Sequence, residues 1–130
     1  APDAVVYPAD HDQVRALLEF CSEAGIAVVP FGGGTSVVGG VEPEAGGFAA
    51  VISLDLARMS ALLELDELSL TARLQPGMTG PEAERTLAQY GLTLGHLPQS
   101  WEYATIGGFA ATRSAGVCLI FRDGIVHGSP

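Results

Sequence analysis

The sequence predicts an α+β fold in which mixed sheets are flanked by helices. Two stretches, residues 4–31 and 69–98, each read as strand, helix, strand, and two further strand-like runs follow one another between them. Length points the same way: 130 residues, 48% of them apolar, suffice for one buried core and a single domain.

The first stretch opens on the β-branched run "AVVYP" at residues 4–8. In "ADHDQVRALLEFCSEAG", residues 9–25, Val14, Leu17, Leu18 and Cys21 recur at the i, i+3, i+4, i+7 spacing of one helix face. Asp10 with Gln13 makes a capping box, and Gly25 supplies the left-handed stop. "IAVVPF", residues 26–31, is continuously apolar, too short for a helix and closed by Pro30, the pattern of a buried strand. "GGFAAVISLDL" (46–56), nearly all apolar, and "SALLELDE" (60–67), alternating, are strands with "ARM" as the turn between them. "SLTARLQPG" (69–77) is a strand with a turn. "TGPEAERTLAQYG" (79–91) is a helix with Thr79 near its cap, Pro81 in its first turn and Gly91 as its stop. "LTLGHLP" (92–98) closes the second stretch as a strand, so that each stretch delivers a loop after a proline, at Pro30 and at Pro98. In α/β sheets, loops at the carboxyl ends of strands are where ligands usually bind.

Charge excludes several classes of function. The formal net charge is −9, with six arginines and no lysine, which leaves no basic stripe for a nucleic acid backbone or an anionic lipid surface. No apolar run approaches the roughly 20 residues of a spanning helix, and the first residues lack the pattern of a signal peptide. A soluble, cytoplasmic chain is expected. Cys21 and Cys118 form no CxxC pair and read as buried thiols. His11, His96 and His127 lie far apart without ligand spacing, so no metal is expected.

The candidate site begins at "VPFGGGTSVVGG", residues 29–40. Glycine lacks a Cβ, so consecutive N–H groups at Gly32, Gly33 and Gly34 can converge on an anion, and Thr35 and Ser36 add hydroxyl donors without charge. A plain flexible turn is the competing reading. Neither common nucleotide pattern applies: a Walker loop needs a lysine, and the Rossmann pattern needs a third glycine where Val37 stands and a helix after it.

Three ordered blocks decide between these readings: "PFGGGTSV" from Pro30, "GHLPQSWEYATIGG" from Gly95 and "TRSAG" from Thr112. With them the chain resembles the amino-terminal part of the two-subdomain FAD-binding domain of FAD-linked oxidases of the vanillyl-alcohol oxidase and p-cresol methylhydroxylase type. Within that family it looks most like the alkyldihydroxyacetonephosphate synthase branch. The resemblance extends to about Gly116. Beyond it "VCLIFRDGIVHGSP" lacks the "YG" turn that relatives carry, and no substrate domain is present. A partial FAD-binding domain over residues 1–130 is therefore expected, either a fragment of a longer enzyme or a chain with an altered tail.

The resemblance implies FAD as cofactor and assigns three loops to it. Pro30, Phe31, Gly32, Gly33, Gly34, Thr35 and Ser36 would hold the diphosphate through backbone amides. Gln99, Ser100, Trp101, Glu102, Tyr103, Ala104 and Thr105 would form the second loop, with Gln99 where branch members usually carry aspartate, and with Ser100 and Thr105 as hydroxyl donors. Thr112, Arg113, Ser114 and Ala115 would form the third, with Gly107 and Gly108 permitting close approach to the cofactor. Some relatives tether FAD through a histidine just after the glycines; Thr35 stands there, which implies noncovalent FAD. Arg113 is either a surface arginine or a group facing cofactor or substrate. Trp101 and Tyr103 either stack on flavin or wall the fold, and His96 reads as a turn or packing histidine rather than a base.

For the intact protein, the resemblance implies a small-molecule substrate. The chemistry is either exchange of an acyl group for a fatty alcohol, as in the synthase branch, or oxidation of a lactate- or glycolate-type 2-hydroxyacid. A noncatalytic binding remnant is the alternative of another class. Sheet edges and apolar surface left unpaired would favour a homo-oligomer.

Overall fold

A computed structural model describes residues 1–114 and 121–122. Strand β1 (Ala4–Val6), helix α1 (His11–Ala24) and strand β2 (Ile26–Phe31) form in the order expected. Strand β3 (Ala50–Asp55) then inserts between the two strands, giving a parallel sheet of order β1-β3-β2 in which Val5 and Val29 both align with Ser53. The apolar content of β3 explains its central place. Val51, Ile52 and Leu54 are all buried, and a strand apolar on both faces is stable only with neighbours on both sides.

Helix α1 is capped much as its sequence suggests. Asp10 accepts the Gln13 amide at 2.8 Å, while the Gln13 side chain reaches one residue farther than a capping box requires, accepting the amide of Ala9 at 2.8 Å. Gly25 ends the helix at φ 66°. Of the four predicted core positions Cys21 is buried and Val14 and Leu17 are half-buried, whereas Leu18 is exposed, as is Phe20.

Strands β4 (Leu62–Asp66) and β5 (Thr71–Leu74) form an antiparallel hairpin. Its turn is organised by Asp66, which accepts the amides of Leu68 and Ser69 at 2.9 and 3.1 Å and the Ser69 hydroxyl at 2.8 Å. These bonds hold the Asp66 carboxyl below its usual range, the Ser69 amide contributing most. Leu70 follows at φ 53°, a left-handed conformation that costs a branched residue energy. Its side chain packs against the core of Leu87, Leu92 and Leu94, as do Leu65, Ala72 and Ile106. Leu70 is half-buried in that contact, and the apolar surface it removes from water works against the strain.

Helix α2 (Gly80–Ala88) starts with a complete capping box: the Thr79 amide donates to Glu82 Oε2 at 2.8 Å and the Glu82 amide donates to the Thr79 hydroxyl at 3.4 Å. The segment after it departs from the sequence reading. Strand β6 is only Leu92–Thr93 and pairs with β7 (Phe121–Arg122), so the second strand–helix–strand stretch is not a parallel unit like the first. Glu84 is the cause. Its Oε1 accepts the amides of Leu94 and Gly95 at 2.8 and 3.2 Å, donors that a longer strand would give to a neighbour, and Gly95 turns the chain at φ 67°.

A short helix that the sequence reading did not contain, α3 (Ile106–Ala111), completes the described fold. Its signal was the N-cap Thr105, whose hydroxyl accepts the Gly108 amide at 3.2 Å; two glycines in the first turn, poor helix formers, disguised it. Cys118 and His127 lie outside the described residues. Among the described residues no helix is long and apolar enough to cross a membrane, and no group of His, Cys, Asp and Glu could hold a metal ion.

Candidate functional site

The glycine loop leaves the carboxyl end of β2, the strand end at which ligands collect in parallel sheets. Phe31 is the last residue tied into the sheet, its carbonyl accepting the Leu56 amide at 3.1 Å. Beyond it, the amides of Gly32, Gly33, Gly34, Thr35 and Ser36 donate to no acceptor among the described residues. Five consecutive donors without an acceptor among the described residues, in a half-exposed loop, form a concentration of partial positive charge suited to an anion. Ser36 shapes the exit, its hydroxyl oxygen accepting the Gly40 amide at 3.2 Å and, more weakly, the Val38 amide at 3.4 Å.

The three glycines have separate local reasons. Gly34 takes φ 67°, and a side chain there would sit 2.9 Å from the Phe31 ring. A Cβ on Gly33 would collide with the backbone carbonyl of Tyr103, and one on Gly32 with the Thr105 hydroxyl. The first loop thus lies flat against the second. Absence of side chains seats the two loops on each other as well as leaving the amides clear.

The second loop is built mostly for that support. Trp101, Tyr103 and Ala104 donate their amides to Pro98, Ser100 and Ser100 carbonyls, closing a tight turn. The Ala104 carbonyl accepts the Gly80 amide at 3.2 Å, and Thr105 bridges to Thr79, so the loop is bonded to the start of α2. Trp101 lies directly over Gly80, where a Cβ would meet its ring, which makes it a wall of the fold. Gln99, Ser100, Glu102 and Tyr103 are exposed, while Ala104 and Thr105 are buried. Gly107 is accounted for by packing: its amide donates to the Pro76 carbonyl at 2.9 Å and a Cβ would lie 2.7 Å from Pro76 Cβ.

The third loop is the end of α3. Thr112 donates its hydroxyl to the Gly108 carbonyl at 2.8 Å. Ser114 and Arg113 donate their amides to the carbonyls of Phe109 and Ala110 at 2.9 and 3.2 Å, the paired bonds of a Schellman motif. The left-handed position of that motif usually holds glycine; here Arg113 occupies it at φ 51°, exposed and without an acidic partner among the described residues. Arg113 and Glu102 are the only formally charged residues in the three loops. His96 Nε2 lies 2.9 Å from the Ser114 hydroxyl, with the ring edge-on to Phe109 at 5.0 Å, so the histidine is packed and bonded as a structural group. Ala115, the last member of the expected third loop, lies outside the described residues. Glu84, which also organises this region, had no signal in the sequence beyond helix position, because its partners, the Thr93 hydroxyl and the Leu94 and Gly95 amides, lie beyond the end of its own helix.

Comparison with known proteins agrees with this geometry. A family model described as FAD binding domain matches residues 2–127. Alkyldihydroxyacetonephosphate synthase of Trypanosoma brucei brucei is 43% identical over 118 residues, 88% of this chain and 19% of that protein. Glycolate oxidase subunit GlcD of Bacillus subtilis is 36% identical over 116 residues, 89% of this chain and 24% of that protein. A solved structure of an alkyldihydroxyacetonephosphate synthase superposes with a TM-score of 0.82 at 38% identity, over 86% of this chain and 21% of that one. The chain thus spans about a fifth to a quarter of the length of these relatives. A glycine loop seated on a second loop at one strand end, a matching fold and a matching family model have one meaning: the chain belongs to the FAD-binding domain family, with FAD as its cofactor.

Proposed function

We propose that the chain binds FAD noncovalently, with the diphosphate on the amides of residues 32–36 and with residues 99–105 and 112–115 as the second and third cofactor loops. The observation that carries this reading is the run of five loop amides with no acceptor among the described residues. The surroundings fit a diphosphate: glycines keep side chains out of the way, and Thr35 offers a neutral hydroxyl where a tethering histidine would stand; in the third loop Arg113 adds a cation to a chain of net charge −9. Bound FAD would supply an isoalloxazine ring able to accept an electron pair from a substrate carbon. The protein's part is to hold and orient it.

For the intact protein, the higher identity to the synthase than to GlcD favours exchange of an acyl group for a fatty alcohol over 2-hydroxyacid oxidation. Exposed Phe20, Leu18, Val37 and Val38 support self-association, read out as a mass above that of one chain in light scattering.

The test is a titration with FAD, ADP and riboflavin, followed by acid precipitation. ADP should compete with FAD, riboflavin should bind far more weakly, and all flavin should remain in the acid supernatant. Riboflavin binding as tightly as FAD would show that the diphosphate is not what the loop recognises.

A further inference from the structure

We propose that His96 is a positioning residue of the cofactor site, acting through Ser114 to hold Arg113 in its left-handed conformation at the end of α3. The inference rests on the reading of residues 112–115 as a cofactor loop. Arg113 occupies a conformation that side chains resist, and the two Schellman amide bonds are what α3 alone provides to keep it there. The His96 contact to Ser114 at 2.9 Å is an additional tie, from a different part of the chain, to the residue next to Arg113.

His96 is itself fixed from two directions. Its ring stands edge-on to buried Phe109, with the planes 82° apart. Its backbone follows directly on the segment anchored by Glu84, which accepts the Thr93 hydroxyl at 2.8 Å through Oε2 and the Leu94 and Gly95 amides through Oε1. A continuous path therefore runs from α2 through Glu84 to Gly95 and His96, and on through Ser114 to Arg113. Packing against Phe109 alone would be met by a phenylalanine. A ring nitrogen directed at Ser114 serves the loop instead, and either imidazole tautomer can make the bond because a serine hydroxyl both donates and accepts.

Three variants test the assignment. His96→Phe keeps the ring and removes the bond, His96→Gln restores a polar end, and Ser114→Ala removes the partner without touching Phe109. Two readouts apply: the rate of trypsin cleavage at the Arg113–Ser114 bond without FAD, and FAD affinity. His96→Phe and Ser114→Ala should speed cleavage and weaken FAD binding by about fivefold to tenfold, the size of one net hydrogen bond, and His96→Gln should restore both. Should His96→Phe fail to fold, Ser114→Ala alone carries the test. Cleavage and affinity unchanged in Ser114→Ala, or His96→Gln as impaired as His96→Phe, would overturn the proposal. A parent chain that takes up no FAD would defeat the cofactor-loop reading instead, and the cleavage rates would still decide whether His96 orders Arg113.

Discussion

Gly33 is the residue at which local sterics and the candidate site meet. A side chain there collides with the Tyr103 carbonyl, and that part of the backbone is held by the bonds of Tyr103 and Ala104 to Ser100. Gly33→Val should therefore lower the melting temperature even without FAD, at a cost of about 1 to 3 kcal/mol typical of overpacking, in addition to weakening FAD binding. An unchanged melting curve would mean that the two loops can separate freely. Arg113 makes the opposite case. Replacing it with glycine should relieve about 1 kcal/mol of left-handed strain and raise stability while FAD affinity falls, separating stability from function at one position. Equal or lower stability in the glycine variant, measured by denaturant unfolding, would contradict the strain argument. The sequence identified both residues by type and neighbourhood. It could not reveal that Gly33 faces a carbonyl some 70 positions later, or that Arg113 sits where glycine normally does, because both facts depend on how distant segments approach.

Elements were legible in proportion to how much of their stability is local. The ends of α1 and α2 were marked by caps that work within one turn, Asp10, Gly25 and Thr79. The short extent of strand β6 and the existence of helix α3 were not. Strand β6 is cut short by Glu84 from a neighbouring helix, and α3 is held by a buried threonine cap and by the Pro76 and Met78 carbonyls, which accept the Gly107 and Ile106 amides. The β4–β5 hairpin offers a test of a purely local device. Asp66 has a lowered carboxyl pKa because its charged form is hydrogen-bonded in the folded state, so its contribution is complete above the ordinary carboxylate range and is lost as pH falls through the folded value. Asp66→Ala should lower the melting temperature at neutral pH, and the gap to the parent should shrink as pH drops below 3.8. A gap that stays constant with pH would remove the charged turn from the account.

At the scale of the molecule, a parallel three-stranded sheet presents its glycine loop at a strand end, and the segment that joins α2 to α3 seats a second loop against it. The sequence conveyed the strands and the order of the three loops. The sheet order β1-β3-β2 was not written in it, because the choice of central strand is settled by how much apolar surface each strand can bury on both sides. The central claim is that the amides of residues 32–36, which find no acceptor among the described residues, receive the diphosphate of FAD. Backbone amide NMR shifts recorded during titration with FAD, and separately with ADP, address it most directly. Large downfield shifts at Gly32, Gly33, Gly34, Thr35 and Ser36, reproduced by ADP, are the predicted result. FAD binding that leaves those five amides unmoved would contradict it.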